Sequence, residues 1–121
     1  PKNYQPKQEI IEYIKKNKNK ISIYNDPKKA VEKADVIFSD KVISMNDKVN
    51  KKKKLRDFKN FKISKSLMKL CPQAIFLHCL PRGSEVEENV FKSKQSKVWQ
   101  QAVNRVHVQK SILLYCFGKL R

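Results

Sequence analysis

Three short apolar runs are spaced along the chain, and each has the length of a β-strand. They cover residues 21–24, 34–38 and 74–77. The first run alternates apolar and polar positions, whereas the third is continuous and is typical of a strand buried within a parallel sheet. Helical patterns separate the runs. The short links from strand to helix to strand indicate a parallel α/β sheet.

Helices are indicated by apolar spacings of three and four residues and by capping residues. The predicted helices span residues 8–18, 27–33, 48–58 and 64–70, and a short acidic helix or turn is predicted at residues 85–91. A long final helix ends before Gly118. The predicted N-caps are Asn25 or Asp26 ahead of Pro27, then Asp47, Ser64 and Ser96. Nothing in the pattern divides the chain into two domains.

Lysine dominates the charged residues, and the chain of 121 residues has a formal net charge of +17. Such a charge is compatible with a polyanion partner, and nucleic-acid binding would then depend steeply on salt. Because the lysines are spread over surface-facing positions, the favoured interpretation is a solvated surface without a nucleic-acid partner. The lysine run at residues 51–54 is interpreted as one face of a helix, with a phosphate-binding patch as the alternative.

Cys71, Cys79 and Cys116 are widely spaced and odd in number. Their spacing matches neither a zinc-binding pattern nor a disulfide framework, so the sequence predicts no metal site and favours a reducing compartment. No apolar run is long enough to span a membrane, and the N-terminal residues do not resemble a signal peptide. Because the chain opens with Pro1 instead of Met, we expect it to be part of a longer protein.

The strongest concentration of polar chemistry is the segment from His78 to Arg82, which directly follows the apolar run at residues 74–77. Pro81 cannot continue a central strand, so it marks the C-terminal end of that strand. His78, Cys79 and Arg82 are therefore predicted at the carboxyl edge of the sheet, where open α/β sheets bind their ligands.

Two further groups are predicted near the same edge. Asp40 and Ser44 follow the strand at residues 34–38, and Arg105 lies near the start of the last helix. A carboxylate can hold a ligand ammonium, and a guanidinium can bind a phosphate or carbonyl oxygen through paired donors. Together with the Cys79 thiol, these groups suit a small zwitterion and an anion. Each residue taken alone is better explained as an ordinary loop, core or surface side chain.

The order of these residues resembles that of ornithine carbamoyltransferases. The resemblance rests on Phe-Leu-His-Cys-Leu-Pro-Arg at residues 76–82, on Ala-Asp-Val-Ile-Phe-Ser-Asp at residues 34–40 with Ser-Met at 44–45, and on Gln-Ala at 101–102 with Asn-Arg at 104–105. It covers the second, ornithine-binding domain of such an enzyme. It implies that residues 1–121 form a partial Rossmann-like α/β domain, N-terminally truncated, with helices flanking a parallel sheet.

The resemblance also implies a reaction, the transfer of the carbamoyl group from carbamoyl phosphate to the δ-amine of L-ornithine, giving L-citrulline and phosphate. Asp40, Ser44 and the backbone at Met45 would bind ornithine. Cys79 would accept a proton near the reacting amine. The thiolate is the competent form, so its pKa is expected to be lowered by nearby positive charge.

Carbamoyl phosphate would be bound by Arg105 and by backbone groups at Cys79 and Leu80. The bond that joins Leu80 to the following proline is cis in this family, which is a geometry that proline permits. The other residues of the motif would support the loop without touching substrate: His78, Pro81 and Arg82.

Three positions depart from the family pattern. Asn46 replaces a usual Gly, Val103 a usual Glu and Val42 a usual Trp. Asn tolerates the left-handed backbone that a glycine would adopt, whereas loss of the carboxylate at position 103 could loosen the orientation of Arg105. Asn46 and Val103 favour a second hypothesis, a catalytically inactive relative that acts as a binding or structural module.

The sequence contains neither the Ser-Thr-Arg-Thr segment nor the His-Pro-x-Gln segment with which the family binds carbamoyl phosphate. The resemblance therefore implies an N-terminal carbamoyl-phosphate domain as partner, in a homotrimer whose subunits share active sites. Half a site should give next to no turnover, because catalysis depends on holding both reactants in place. No metal, organic cofactor or membrane association is implied. A cytoplasmic location is expected, or the mitochondrial matrix if the source is eukaryotic.

Overall fold

The structure is a computed structural model that describes residues 1–17, 20–44 and 50–119. Strand β1 is Val36–Ser39 and strand β2 is Ile75–His78. The α-helices within these ranges are α1 (Gln8–Lys16), α2 (Pro27–Val31), α3 (Lys51–Asp57), α4 (Lys65–Met68), α5 (Glu88–Phe91) and α6 (Val98–Cys116), with short 3₁₀ turns at Lys2–Tyr4 and Lys59–Phe61. No helix in the described part of the chain has the length and apolar character that crossing a membrane requires.

The sheet is built from β1 and β2, which run parallel and pair from Val36 with Ile75 to Ser39 with His78. The outer side of β2 is partly covered by the segment that leads into α6. There Phe76 donates its backbone N–H to Gln95 O at 2.8 Å, and Phe76 O accepts from the backbone of Lys97 at 2.9 Å. The parallel α/β architecture predicted from the sequence is therefore present.

The strand predicted at residues 21–24 is wrong in the described chain. Residues 21–24 have no strand pairing, and Tyr24 at the end of the run is 51% exposed. A strand requires a neighbour that satisfies its backbone N–H and C=O groups. Within the described chain, β1 is paired with β2 and the outer side of β2 is bonded by residues 95–97, so the alternating pattern at residues 21–24 has no partner.

Two of the predicted caps are confirmed. The Asp26 carboxylate accepts from the backbone N–H of Lys28 at 2.9 Å at the start of α2, and the Ser64 hydroxyl accepts from the backbone N–H of Leu67 at the start of α4. Each cap satisfies an N–H group that the first helical turn would leave without a partner.

Two other caps differ from the prediction. Helix α3 begins at Lys51 and is capped by the side chain of Asn50, whereas the predicted cap Asp47 lies outside the described residues. Ser96 does not cap α6, because it forms an isolated parallel bridge with Phe76 and the helix begins two residues later. At this position the backbone of Ser96 extends the sheet, and the N-cap of α6 is Lys97.

A small apolar core lies beneath one face of the sheet. Phe76 is fully buried, and Ile37 of β1 is 7% exposed. The opposite face is open, because Val36 and Phe38 are 50% and 59% exposed. Strand β2 alternates between half-buried and buried positions. The prediction that this strand is buried within the sheet is therefore wrong for the half-buried positions. The rest of the core comes from the helices and loops: Val31, Leu67, Met68, Cys71, Ala74, Val86, Val90 and Val98.

Replacing Phe76 with alanine should lower the free energy of unfolding by about 3–5 kcal/mol, because the substitution leaves a cavity at the centre of this core. The matched control is Phe117→Ala, since Phe117 is 76% exposed. Surface substitutions usually change the free energy of unfolding by no more than about 0.5 kcal/mol. Urea unfolding followed by circular dichroism measures both effects. Equal losses for the two variants would contradict the core described here.

Candidate active site

The register of the sheet brings two predicted site residues side by side. Ser39 is paired with His78 in the last position of the ladder, so Asp40 and Cys79 are the next residues on the two strands. Neighbouring strands lie about 4.8 Å apart, which places these two side chains within reach of each other at the carboxyl edge of the sheet.

Asp40 and Cys79 are in direct contact. The Cys79 thiol donates a hydrogen bond to Asp40 Oδ1, with the sulfur and oxygen 3.0 Å apart. The same oxygen accepts from the backbone N–H of Lys41 at 2.7 Å. A carboxylate and a thiol from segments 39 residues apart in sequence therefore form one polar unit.

This contact changes how both groups titrate. The hydrogen bond from Cys79 and the one from the Lys41 backbone lower the pKa of the Asp40 carboxyl group. Burial, followed by the hydrogen bond to the Asp40 carboxylate, raises the pKa of the Cys79 thiol. The prediction of a lowered Cys79 pKa is therefore wrong for the described chain. The nearest charge is negative, and it favours the neutral thiol.

A cavity of about 380 Å³ opens beside Cys79. Its wall combines the end of β2 with one face of α6, and its lining residues are His78, Cys79, Leu80, Gln101, Ala102 and Arg105. Gln101 and Arg105 are four residues apart on α6, a spacing that puts two helical side chains on the same face. The structure therefore brings the predicted guanidinium to the cavity that contains the predicted thiol.

Arg105 itself is exposed. No other side chain among residues 1–17, 20–44 and 50–119 forms an ion pair or hydrogen bond with its guanidinium. Val103, which stands where the family has a carboxylate, is 56% exposed. The described residues thus leave the donors of Arg105 available to an anion, and they do not fix the orientation of the side chain.

His78 ties the two strand ends to the following loop. It is 1% exposed, and its Nδ1 lies 2.8 Å from Ser39 O and 2.9 Å from Ser39 Oγ. A carbonyl oxygen can only accept, so Nδ1 carries a hydrogen atom. Nε2 lies 3.1 Å from the buried carboxyl group of Glu85. These contacts hold the end of β1 against β2 and so fix the position of Asp40 relative to Cys79.

The loop after Cys79 is closed by several contacts. The bond between Leu80 and Pro81 is cis, which is the isomer that the family resemblance implies. Gly83 donates its backbone N–H to Glu85 Oε1 at 2.6 Å. A Cβ atom at position 83 would lie 2.5 Å from the other carboxylate oxygen of Glu85, so a larger residue would require the Glu85 carboxylate to shift.

Arg82 faces this loop and is not one of the residues that line the cavity. Its guanidinium donates to Val86 O at 2.9 Å and forms an ion pair with Glu88. It also lies 5.1 Å from the centre of the Phe91 ring. These are the contacts of a residue that supports the loop, which is the role that the resemblance implies for it.

The remaining predicted site residues are less informative. Ser44 is exposed and does not line the cavity, while Met45 and Asn46 lie outside the described residues. Val42 lies away from Cys79, in a different cavity beside Leu55 and Phe58. The contacts of Ser44 and Met45 with ornithine stay predictions.

Two residues at this site were given no role by the sequence. Glu85 was assigned to an acidic helix or turn, yet it is 8% exposed and contacts His78. Gln101 accepts a hydrogen bond from the backbone N–H of His78 at 3.1 Å. The spacing of Gln101 from Arg105 was a usable signal, because it puts both on one helical face. Nothing in the sequence pattern marks Glu85 as buried.

Within the described ranges, no three side chains of His, Cys, Asp or Glu are grouped as ligands for a metal ion. The groups that do converge are a carboxylate, a thiol and a guanidinium, beside a cavity large enough for a small organic molecule. Ligands of open α/β sheets bind at this edge. The fold and the cavity therefore define a ligand-binding α/β domain suited to a small molecule with cationic and anionic groups.

Comparison with known proteins identifies the family. Residues 1–116 match the family described as "Aspartate/ornithine carbamoyltransferase, Asp/Orn binding domain". The chain therefore belongs to this family. It is 46% identical over 118 residues to the ornithine carbamoyltransferase of Ruthia magnifica, covering 95% of this chain and 38% of that protein. It is 43% identical over 117 residues to the one from Methanocorpusculum labreanum, with 94% and 38% covered.

Solved structures agree with this assignment. The ornithine carbamoyltransferase from Pyrococcus furiosus superposes with a TM-score of 0.82 at 36% identity, covering 100% of this chain and 41% of that one. The anabolic enzyme from Campylobacter jejuni also gives 0.82, at 34% identity, with 98% and 42% covered. The chain thus spans about two fifths of the length of these relatives.

Replacing Asp40 with asparagine should lower the pKa of the Cys79 thiol toward its ordinary value, because the substitution removes the negative charge that stabilises the protonated form. The pH dependence of iodoacetamide alkylation measures this pKa. The exposed thiol of Cys116 is first removed by Cys116→Ser. Asp35→Asn is the matched control, since Asp35 precedes the opposite end of β1. An unchanged or higher pKa in Asp40→Asn would contradict the contact.

Proposed function

We propose that this chain supplies the ornithine-binding half of an ornithine carbamoyltransferase. In this reaction the δ-amine of L-ornithine attacks the carbonyl carbon of carbamoyl phosphate. The new C–N bond forms as the bond between this carbon and the phosphate oxygen breaks, so phosphate leaves with the electron pair and the amine loses a proton. The products are L-citrulline and phosphate. The contact of Asp40 with Cys79 beside the Arg105 cavity is the observation that carries this proposal.

Asp40 is suited to bind the α-ammonium group of ornithine, with help from Ser44 and the backbone at Met45. Its pKa is lowered by the hydrogen bonds from Cys79 and from the Lys41 backbone, so it is ionised at neutral pH. An ammonium group that pairs with this carboxylate competes with the Cys79 thiol for the same oxygen. Ornithine binding would therefore weaken the hydrogen bond that raises the thiol pKa.

Cys79 would then accept the proton that the δ-amine loses. The thiol is held neutral by burial and by Asp40 in the described chain, so the thiolate forms by loss of the thiol proton to solvent when the substrate cation arrives. Arg105, with the backbone at Cys79 and Leu80, would bind carbamoyl phosphate on the cavity side. A guanidinium suits this role because its paired donors match phosphate and carbonyl oxygens.

The partner that completes the site would be an N-terminal carbamoyl-phosphate domain, within a homotrimer in the cytoplasm or mitochondrial matrix. Two observations support such a partner. Relatives are about two and a half times as long as this chain, which covers 38% of the Ruthia protein. The open face of the sheet also exposes Val36 and Phe38, and exposed apolar patches are typical of surfaces that are covered in an assembly.

The alternative is an inactive relative that binds ligand without turnover. The specific observation in its favour concerns Arg105, whose guanidinium has no side-chain partner among the described residues. Val103, which stands where the family has a carboxylate, is exposed. Substrate positioning contributes a large part of enzymatic rate, and a loosely held guanidinium would reduce that contribution.

The test is a chimera in which residues 1–116 replace the matching domain of the Ruthia magnifica enzyme. We expect the chimera to form citrulline, and Cys79→Ala to lower kcat by about 10²–10⁴, the usual contribution of a general base. Cys116→Ala is the matched control and should leave kcat unchanged, because Cys116 is exposed at the end of α6.

Turnover that survives Cys79→Ala undiminished would reject the role of the thiol. A folded, trimeric chimera that forms no citrulline would favour the inactive alternative. In that case Val103→Glu, which restores the carboxylate usual in the family, should recover activity if the orientation of Arg105 is the defect.

A further inference from the structure

On the outer side of β2, the last backbone N–H donates to the side chain of Gln101 and not to a backbone carbonyl. Phe76 exchanges backbone hydrogen bonds with Gln95 and Lys97. In an extended strand the N–H of His78, two residues later, faces the same side. Helix α6 has begun at that level, and the acceptor for His78 is Oε1 of Gln101, 3.1 Å away. The Gln101 amide therefore continues the ladder for one more residue, directly before Cys79.

The side chain that carries this amide also lines the cavity beside Cys79. Gln101 is half-buried and lines the cavity together with Cys79 and Arg105. Its oxygen is engaged by His78, whereas its Nε2 group has no hydrogen-bond partner within the described part of the chain. A primary amide carries two N–H donors on this nitrogen. The cavity wall thus presents two sets of donors from one face of α6, a neutral amide and a cationic guanidinium.

We propose that Gln101 binds the anionic substrate of the reaction. Its Oε1 holds the end of β2 in place, and its Nε2 donates to an oxygen of carbamoyl phosphate that is bound by Arg105. The proposal rests on the proposed function, to which it adds a substrate-binding residue. The engaged oxygen fixes which way the amide points, because it leaves the nitrogen as the end available to a ligand. A donor held in this way loses little conformational freedom when the substrate binds.

Gln101→Glu separates the two ends of the amide. The variant keeps an oxygen that can accept from His78 N–H, and it replaces the Nε2 donor with an oxygen that repels an anion. In the active chimera we expect the KM for carbamoyl phosphate to rise about ten- to hundredfold, the range for losing a hydrogen bond to a charged group. The KM for ornithine should change less than about threefold, and the melting temperature should stay the same.

Gln100→Glu is the matched control. It introduces the same charge at the neighbouring position of α6, but Gln100 is exposed and does not line the cavity of Cys79 and Arg105. It lines a second cavity, which Gln101 also borders, with Ile75 and Leu77. Both KM values should match those of the parent chimera. A Gln101→Glu enzyme that behaves like Gln100→Glu, or that loses ornithine and carbamoyl phosphate equally, would overturn the proposal.

A second measurement needs no turnover and so separates this proposal from the proposed function. Inorganic phosphate should slow iodoacetamide alkylation of Cys79 in the chimera carrying Cys116→Ser, because both would occupy the same cavity. The protection should fall at least about tenfold in Gln101→Glu. Equal protection of both proteins, or no protection of either, would overturn the role of Gln101 whether or not the chimera forms citrulline.

Discussion

The parallel pairing of β1 with β2 is the constraint on which the candidate site depends. The ladder runs in register from Val36 with Ile75 to Ser39 with His78, so the next residue on each strand must lie beside the other. Asp40 and Cys79 are those residues. A shift of one position would exchange the buried and open faces of a strand and would separate the carboxylate from the thiol. The buried Phe76 and Ile37 therefore fix the site as well as the core.

The electrostatics of the site follow from the contact between Asp40 and Cys79. The Cys79 thiol and the Asp40 carboxylate each change the pKa of the other, in opposite directions. Without a ligand the unit is a neutral thiol bonded to an anion. Under the proposed function, a substrate ammonium would change that balance, so ornithine would help to prepare the group that accepts its proton. Arg105 on α6 lines the same cavity as Cys79, and this cavity is where the proposed function expects an anion.

Local signals in the sequence predicted much of the fold. The apolar runs located β1 and β2, and the Asp26 and Ser64 caps located two helix starts. Features that depend on a residue distant in sequence could not be predicted from such local patterns. The run at residues 21–24 forms no strand because it has no partner. The raised pKa of Cys79 depends on its burial and on Asp40, which follows the other strand. Family resemblance, not periodicity, supplied the role of Arg105.

The most direct test of the account is a disulfide cross-link between the two strand ends. Adjacent strands are about 4.8 Å apart, within the Cα separation that a disulfide accepts. In a background carrying Cys116→Ser, Asp40→Cys should therefore form a disulfide with Cys79 under mild oxidation, seen as the loss of two free thiols on titration. Asp35→Cys, at the far end of β1, should not. Two thiols that stay free in Asp40→Cys would contradict the register and the site built on it.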